Sequence, residues 1–132
     1  MAGPLVAVVQ DDGTLQWLLR EALEEAGYRA RVWPTGDGAY PDFRASPPAL
    51  ALLDIRLERP DAGWELLQQL RADPATAGIP VLVTTADGAF LRERAGEARA
   101  LGAEVLALPF DLDDLLAAVR RLAGPPGAAP GA

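Results

Sequence analysis

Ala49-Leu50-Ala51-Leu52-Leu53-Asp54 is the stretch that decides how this chain folds. An apolar run without polar alternation marks a strand covered on both faces, as in a parallel sheet flanked by helices. A carboxylate closing such a strand belongs where the carboxyl edge of the sheet meets solvent, the edge at which open α/β sheets place ligands and chemistry. Taken alone, Asp54 reads equally well as a loop cap. Its neighbours in the fold have to decide.

Working outward, the pattern alternates strand and helix five times. Leu5 to Val9 is a second buried strand, and it exits on Gln10-Asp11-Asp12. Leu15, Leu18, Leu19, Ala22, Leu23 and Ala26 then recur at helical spacing until Gly27. Arg29 to Trp33 reads as a strand closed by Pro34, and Thr35 to Ser46 as a short helix in which Pro41 opposes any longer one. Beyond Asp54, the loop Ile55 to Gly63 leads to a helix carrying Trp64, Leu66, Leu67 and Leu70. Ile79 to Thr84 is the fourth strand, with Thr85-Ala86-Asp87-Gly88 at its exit. Ala89 to Leu101 is a charged fourth helix interrupted by Gly96, and Glu104 to Leu108 is a short fifth strand before Pro109. The last helix opens at Asp111 with Asp113 and Asp114 in its first turn, where the helix dipole favours acids. Its stripe is Leu112, Leu115, Leu116, Val119 and Leu122.

Such alternation with short loops predicts a doubly wound α/β fold with five parallel strands, flavodoxin-like, in the order 2-1-3-4-5. Residues 1–123 form the folded unit. The segment 124–132 is Gly, Pro and Ala only and reads as a disordered tail, removable without loss of stability.

Composition removes several functions. The chain has 132 residues, half of them hydrophobic, enough for one domain with a real core. A net charge of −7 argues against nucleic acid or an anionic membrane as the main partner. No apolar run reaches the ~18 residues of a membrane span, and no basic leader opens the chain, so a cytoplasmic location is expected. The absence of Cys and His excludes disulfides, zinc sites and the usual nucleophile and base pairs. All 12 basic residues are Arg, so lysine chemistry of every kind is excluded.

The predicted strand order sets the exits of strands one, three and four side by side. Gln10-Asp11-Asp12, Asp54 and Thr84-Thr85 therefore converge. Carboxylates brought together raise each other's pKa unless a cation neutralises them. With only oxygen donors available, the natural cation is Mg²⁺. A metal, an accessible carboxylate and a hydroxyl together suit phosphoryl transfer; the competing reading is that these acids only cap loops. Arg56 lies two residues beyond Asp54, and Asp87 two beyond Thr85. Both side chains should rim the same pocket and pair, leaving Arg56 as the only cation there.

The acidic turn after the first strand, Asp54 ending the third, Pro80 to Ala86 (PVLVTTA), Gly102-Ala103 and Pro109-Phe110 stand in the order found in one family. From Leu5 to Leu122 the chain resembles the CheY-like receiver domain of bacterial two-component response regulators. That resemblance implies that Asp54 accepts a phosphoryl group from a histidine kinase or phosphotransfer protein. It implies that Asp11, Asp54 and the main-chain carbonyl of Arg56 hold Mg²⁺, that Thr85 is the switch hydroxyl, and that Ala86 leaves room for the phosphoryl group. It also implies that the chain is not an enzyme, and that output passes to a protein target over the fourth helix, fifth strand and fifth helix, with homodimerisation open.

The chain departs from the pattern in three places. Gln10 replaces the first acid of the pair, Leu108 stands where the phosphate-contacting Lys is usual, and Val105 where an aromatic swings inward. The loop from Asp54 to Gly63 is one residue longer than the family's pattern, with its Pro displaced to Pro60. Two readings follow: a single-domain phosphoryl-accepting receiver with weak Mg²⁺ binding, or a receiver-like interaction module independent of phosphorylation. A nucleotide or flavin enzyme on this fold is not supported, because Gly36-Asp37-Gly38 is too isolated to be a phosphate loop.

Overall fold

In the computed structural model, residues 3–127 are described. Strands β1 (Leu5–Val9), β2 (Arg29–Trp33), β3 (Leu50–Asp54), β4 (Val81–Thr85) and β5 (Glu104–Ala107) form one sheet. All pair in parallel, in the order β2-β1-β3-β4-β5. Helices α1 (Gly13–Glu25), α2 (Gly36–Ala45), α3 (Ala62–Ala72), α4 (Gly88–Glu93), α5 (Ala95–Ala100) and α6 (Leu112–Ala123) connect them. This is the flavodoxin-like arrangement expected from the sequence.

The period of two along each strand separates two cores. Val6, Val8, Leu50, Leu52 and Leu82 face one way and meet Leu19 and Leu23 of α1 and Leu115 and Val119 of α6. Ala7, Val9, Ala51, Leu53, Val81 and Val83 face the other way, toward α2, α3, α4 and α5. With both faces occupied, the central strands can carry polar side chains only at their ends, and Asp54 and Thr85 are such ends.

Four details differ from the sequence reading. The fourth helix is two helices, and the break falls at Arg94 rather than Gly96. In a continuous helix Arg94 would share the buried face of Phe90, four residues earlier. The break turns Arg94 outward and gives the inward positions to Ala95 and Ala98. Strand β4 starts at Val81 and includes Thr85, and β5 stops at Ala107. Leu18 and Leu112 lie at the rims of their stripes, 37 % and 40 % exposed. The short helix expected over Thr35 to Ser46 is present as α2, with Pro41 exposed inside it.

The fourth difference concerns the tail. Residues 128–132 lie outside the described residues, but the segment 124–127 docks. Tyr28 Oη donates to the Gly124 carbonyl at 2.7 Å, and the Gly127 N–H donates to the Gly27 carbonyl at 3.0 Å. Burial raises the Tyr28 pKa, partly countered by Arg120. Composition alone reads this segment as disordered, whereas one backbone amide and one phenol make this contact. A chain ending at Ala123 should therefore melt below one ending at Gly127. Two hydrogen bonds of ~1 kcal/mol each would lower Tm by about 4–10 °C, measured by calorimetry.

Gly63 has a different constraint. A Cβ there would lie 1.9 Å from the Asp54 carbonyl oxygen and 2.7 Å from Ile55 Cα. The start of α3 thus rests directly on the backbone that presents Asp54, held by Gly63 N–H donating to Ile55 O at 2.9 Å. Gly63→Ala should destabilise by ~3 kcal/mol or more, read as a lowered urea midpoint, because only backbone movement relieves the overlap.

Candidate functional site

The exits of β1, β3 and β4 open into one cleft of about 570 Å³. Asp11, Asp54, Arg56, Thr85, Ala86 and Asp87, all singled out from the sequence, line it together with Gln10, Asp12, Leu15, Gly88 and Leu108. The register explains the convergence: Val9 lies opposite Leu53 and Asp54 opposite Thr84, so the three exits are level.

On the acidic side, Asp54 is half-buried and Asp11 exposed. Burial raises the Asp54 pKa; the backbone N–H groups of Ile55 and Arg56 oppose this, the Asp11 charge adds to it, and the Gln10 amide again opposes it. Asp12 is directed elsewhere, since its Oδ1 accepts from Leu15 N–H at 2.9 Å and caps α1. Gln10 is 2 % exposed. Its Oε1 accepts from the Asp12 N–H at 3.1 Å, and its carbonyl accepts from Gln16 Nε2 at 2.6 Å. Through its side chain and its backbone carbonyl, Gln10 thus knits the β1 exit together, and it adds no charge to it.

On the basic side, Arg56 and Asp87 face each other as expected. Nε and Nη2 both approach Asp87 Oδ2 at 3.2 Å, and the Arg56 side chain is 68 % exposed. Arg56 is the only basic residue lining the cleft among the described residues. Leu108 sits on the rim in an apolar position, its N–H donating to Thr85 O at 2.8 Å. Thr85 is buried, and its Oγ1 accepts from the Asp87 N–H at 3.0 Å, which leaves its own proton free to point into the cleft. Ala86 is exposed and small.

The donor set fits a hard cation to a limited degree. Two carboxylates of like charge, Asp11 and Asp54, share the cleft, and every available donor is oxygen. Among the described residues no cluster of three or more ligating side chains occurs, because Asp12 is turned away and Gln10 is neutral. Asp11, Asp54 and the Arg56 carbonyl are the groups that would hold Mg²⁺.

The sequence reading missed how the loop after Asp54 is secured. Glu58 accepts from the Gly36 and Asp37 N–H groups, both at 2.8 Å, and so satisfies the start of α2. Arg59 grips Asp37 through two bonds of 2.9 Å and also reaches Glu65 at 2.7 Å. The signal for the Glu58 contact is weak: a carboxylate within reach of a glycine-opened helix is visible only once α2 and this loop are known neighbours. The tryptophans settle simply. Trp64 packs edge-on against Phe90 and Trp33 against Phe43, while Trp17 is 63 % exposed.

Residues 6–120 match the family model of the response regulator receiver domain. The transcriptional regulatory protein RprY of Bacteroides fragilis is 32 % identical over 124 residues, covering 90 % of this chain and 50 % of that protein. The chain spans about half the length or less of the curated relatives it matches. A response regulator structure from Chloroflexus aurantiacus superimposes with TM-score 0.80 at 30 % identity, covering 91 % of this chain and 97 % of that one. The receiver domain of a Pseudomonas aeruginosa sensor histidine kinase, with a magnesium ion coordinated in its active site cleft, gives 0.79 at 26 %, covering 93 % and 99 %. With a family model matched over most of its length, the chain belongs to the response regulator receiver domain family of two-component signalling.

Proposed function

We propose that Asp54 accepts a phosphoryl group from a histidine kinase or phosphotransfer protein, at a site with weakened metal and phosphate contacts. The observation that carries this reading is the meeting of Asp54, Asp11, Thr85 and Arg56 around one cleft. An Asp54 carboxylate oxygen attacks phosphorus; the bond to the donor nitrogen breaks, and the imidazole keeps the electron pair. Thr85 Oγ1–H donates a hydrogen bond to a phosphoryl oxygen, and Arg56 supplies the positive charge that Leu108 does not. Bound Mg²⁺ would neutralise the charge of carboxylates and phosphoryl oxygens. Asp11, Asp54 and the Arg56 carbonyl would hold the ion, and the small Ala86 leaves the entry open. On this reading the protein is a signalling receiver in the cytoplasm and not an enzyme with a substrate of its own. Its output would pass to a protein partner over α4, α5, β5 and α6, the face on which Arg121 of α6 pairs with Glu104 of β5. Among the described residues no helix is long and apolar enough to cross a membrane.

Incubation with acetyl phosphate, with and without Mg²⁺, followed by intact mass spectrometry, tests this. One phosphoryl group should be gained, it should require the metal, and Asp54→Asn should abolish it. Gln10→Asp and Leu108→Lys should each accelerate the gain. A charge-assisted contact contributes ~1.5–3 kcal/mol, or about tenfold to a hundredfold in rate. No gain in any variant would favour the phosphorylation-independent interaction module, for which the neutral Gln10, buried and hydrogen-bonded within the β1 exit, is the supporting feature.

Stability should carry a second signature of the same carboxylate. Burial holds the folded-state pKa of Asp54 above its unfolded value. Its contribution is therefore unfavourable once pH lies above the raised value, and vanishes below the ordinary carboxylate range near ~3.9. Asp54→Asn should be the more stable protein at pH 7.5 without Mg²⁺. In urea titrations the gap should shrink as pH falls through that window.

A further inference from the structure

Asp87 divides its two carboxylate oxygens between two tasks. Oδ1 accepts from Ala89 and Phe90 N–H at 3.0 and 3.2 Å and caps α4. Oδ2 takes both contacts from Arg56 at 3.2 Å. The first residue before α4 is thereby tied to the loop that follows Asp54, through an oxygen the helix cap does not use. Farther along, Phe90 is buried against Trp64 with ring centroids 5.9 Å apart, and Arg94 at the helix break lies 5.5 Å over the same indole. Six residues make a helix with little stability of its own, so its placement depends on these contacts.

We infer that Arg56 is a partner-exchanging tether: it holds α4 to the β3–α3 loop through Asp87, and a phosphoryl group on Asp54 draws it away and loosens α4. This rests on the reading of Asp54 as acceptor. Charge decides the direction of exchange. The Arg56–Asp87 pair is exposed and uses one carboxylate oxygen, an arrangement that contributes little. A phosphoryl group brings about −1.5 to −2 charges and three acceptor oxygens, which a guanidinium can grip as a fork. Asp54 is half-buried, so less water competes for that charge. Leu108 offers no rival cation, and Arg56 is the only basic residue on the cleft among the described residues. Because the cap uses Oδ1, α4 keeps its first turn when Arg56 leaves; it loses the tether and not the helix.

Hydrogen exchange of the segment Gly88–Arg94, read by mass spectrometry with intact mass taken on the same samples, tests this on the full chain. In the wild type, acetyl phosphate with Mg²⁺ should speed exchange of this segment about threefold or more. Asp87→Asn keeps a cap acceptor but loses the charge, and Arg56→Gln loses the cation. Both should exchange at the raised level before modification, and show no further rise when compared at matched extents of phosphorylation. A modified wild type with unchanged exchange overturns the inference, as does an Arg56→Gln protein that responds as strongly as the wild type. No mass gain in the wild type overturns the acceptor reading and the phosphoryl-driven exchange with it. In that case equal exchange of both variants and the wild type would overturn the tether as well.

Discussion

Covering a parallel sheet on both faces leaves polar chemistry nowhere to go but the strand ends. Leu50, Leu52 and Leu82 are sealed under α1 and α6, and Ala51, Leu53, Val81 and Val83 under the opposite layer. Desolvating a carboxylate in either layer would be prohibitive without a partner. Asp54, one residue past Leu53, sits at the boundary, where burial is partial and raises its pKa. The raised pKa at this position is thus a by-product of how completely the rest of the strand is buried. The fit of Gly63 against the Asp54 backbone shows how little slack the boundary allows.

The cleft also shows how one charge distribution can be rearranged without abandoning the architecture. Gln10 keeps the hydrogen bonds that shape the β1 exit while removing a negative charge. Leu108 keeps the backbone bond to Thr85 while offering no positive one. What remains is one cation on a long, exposed side chain, Arg56, set opposite an acid that is already occupied by a helix. The positive charge of the cleft thus rides on one exposed side chain.

Much of this was legible in the sequence, because strand burial and strand exits follow from short-range pattern. The sheet order comes from strand–helix alternation with short loops, and the convergence of Asp11, Asp54 and Thr85 and the Arg56–Asp87 pair from counting residues past the strands. Features that depend on three-dimensional fit were not legible. The break at Arg94 reflects a competition between helix continuity and the burial of Ala95 and Ala98, which no local propensity records. Glu58 looks like an ordinary loop acid until α2 is placed beside it. The docking of Gly124 and Gly127 uses backbone groups, which every residue has and which composition cannot single out.

That last contact has a practical consequence for tethering. Gly3, Gly27 and Gly127 crowd together at the amino edge of the sheet: a Cβ on Gly3 would lie 2.2 Å from the Gly27 carbonyl and 2.5 Å from the Gly127 nitrogen. Asp54 is at the opposite edge, a strand length or roughly 17 Å away. A dye, a surface linker or a fused reporter attached beyond Gly127 would leave from the far side of the domain. It would leave the cleft unobstructed, and immobilised protein would present Asp54 outward.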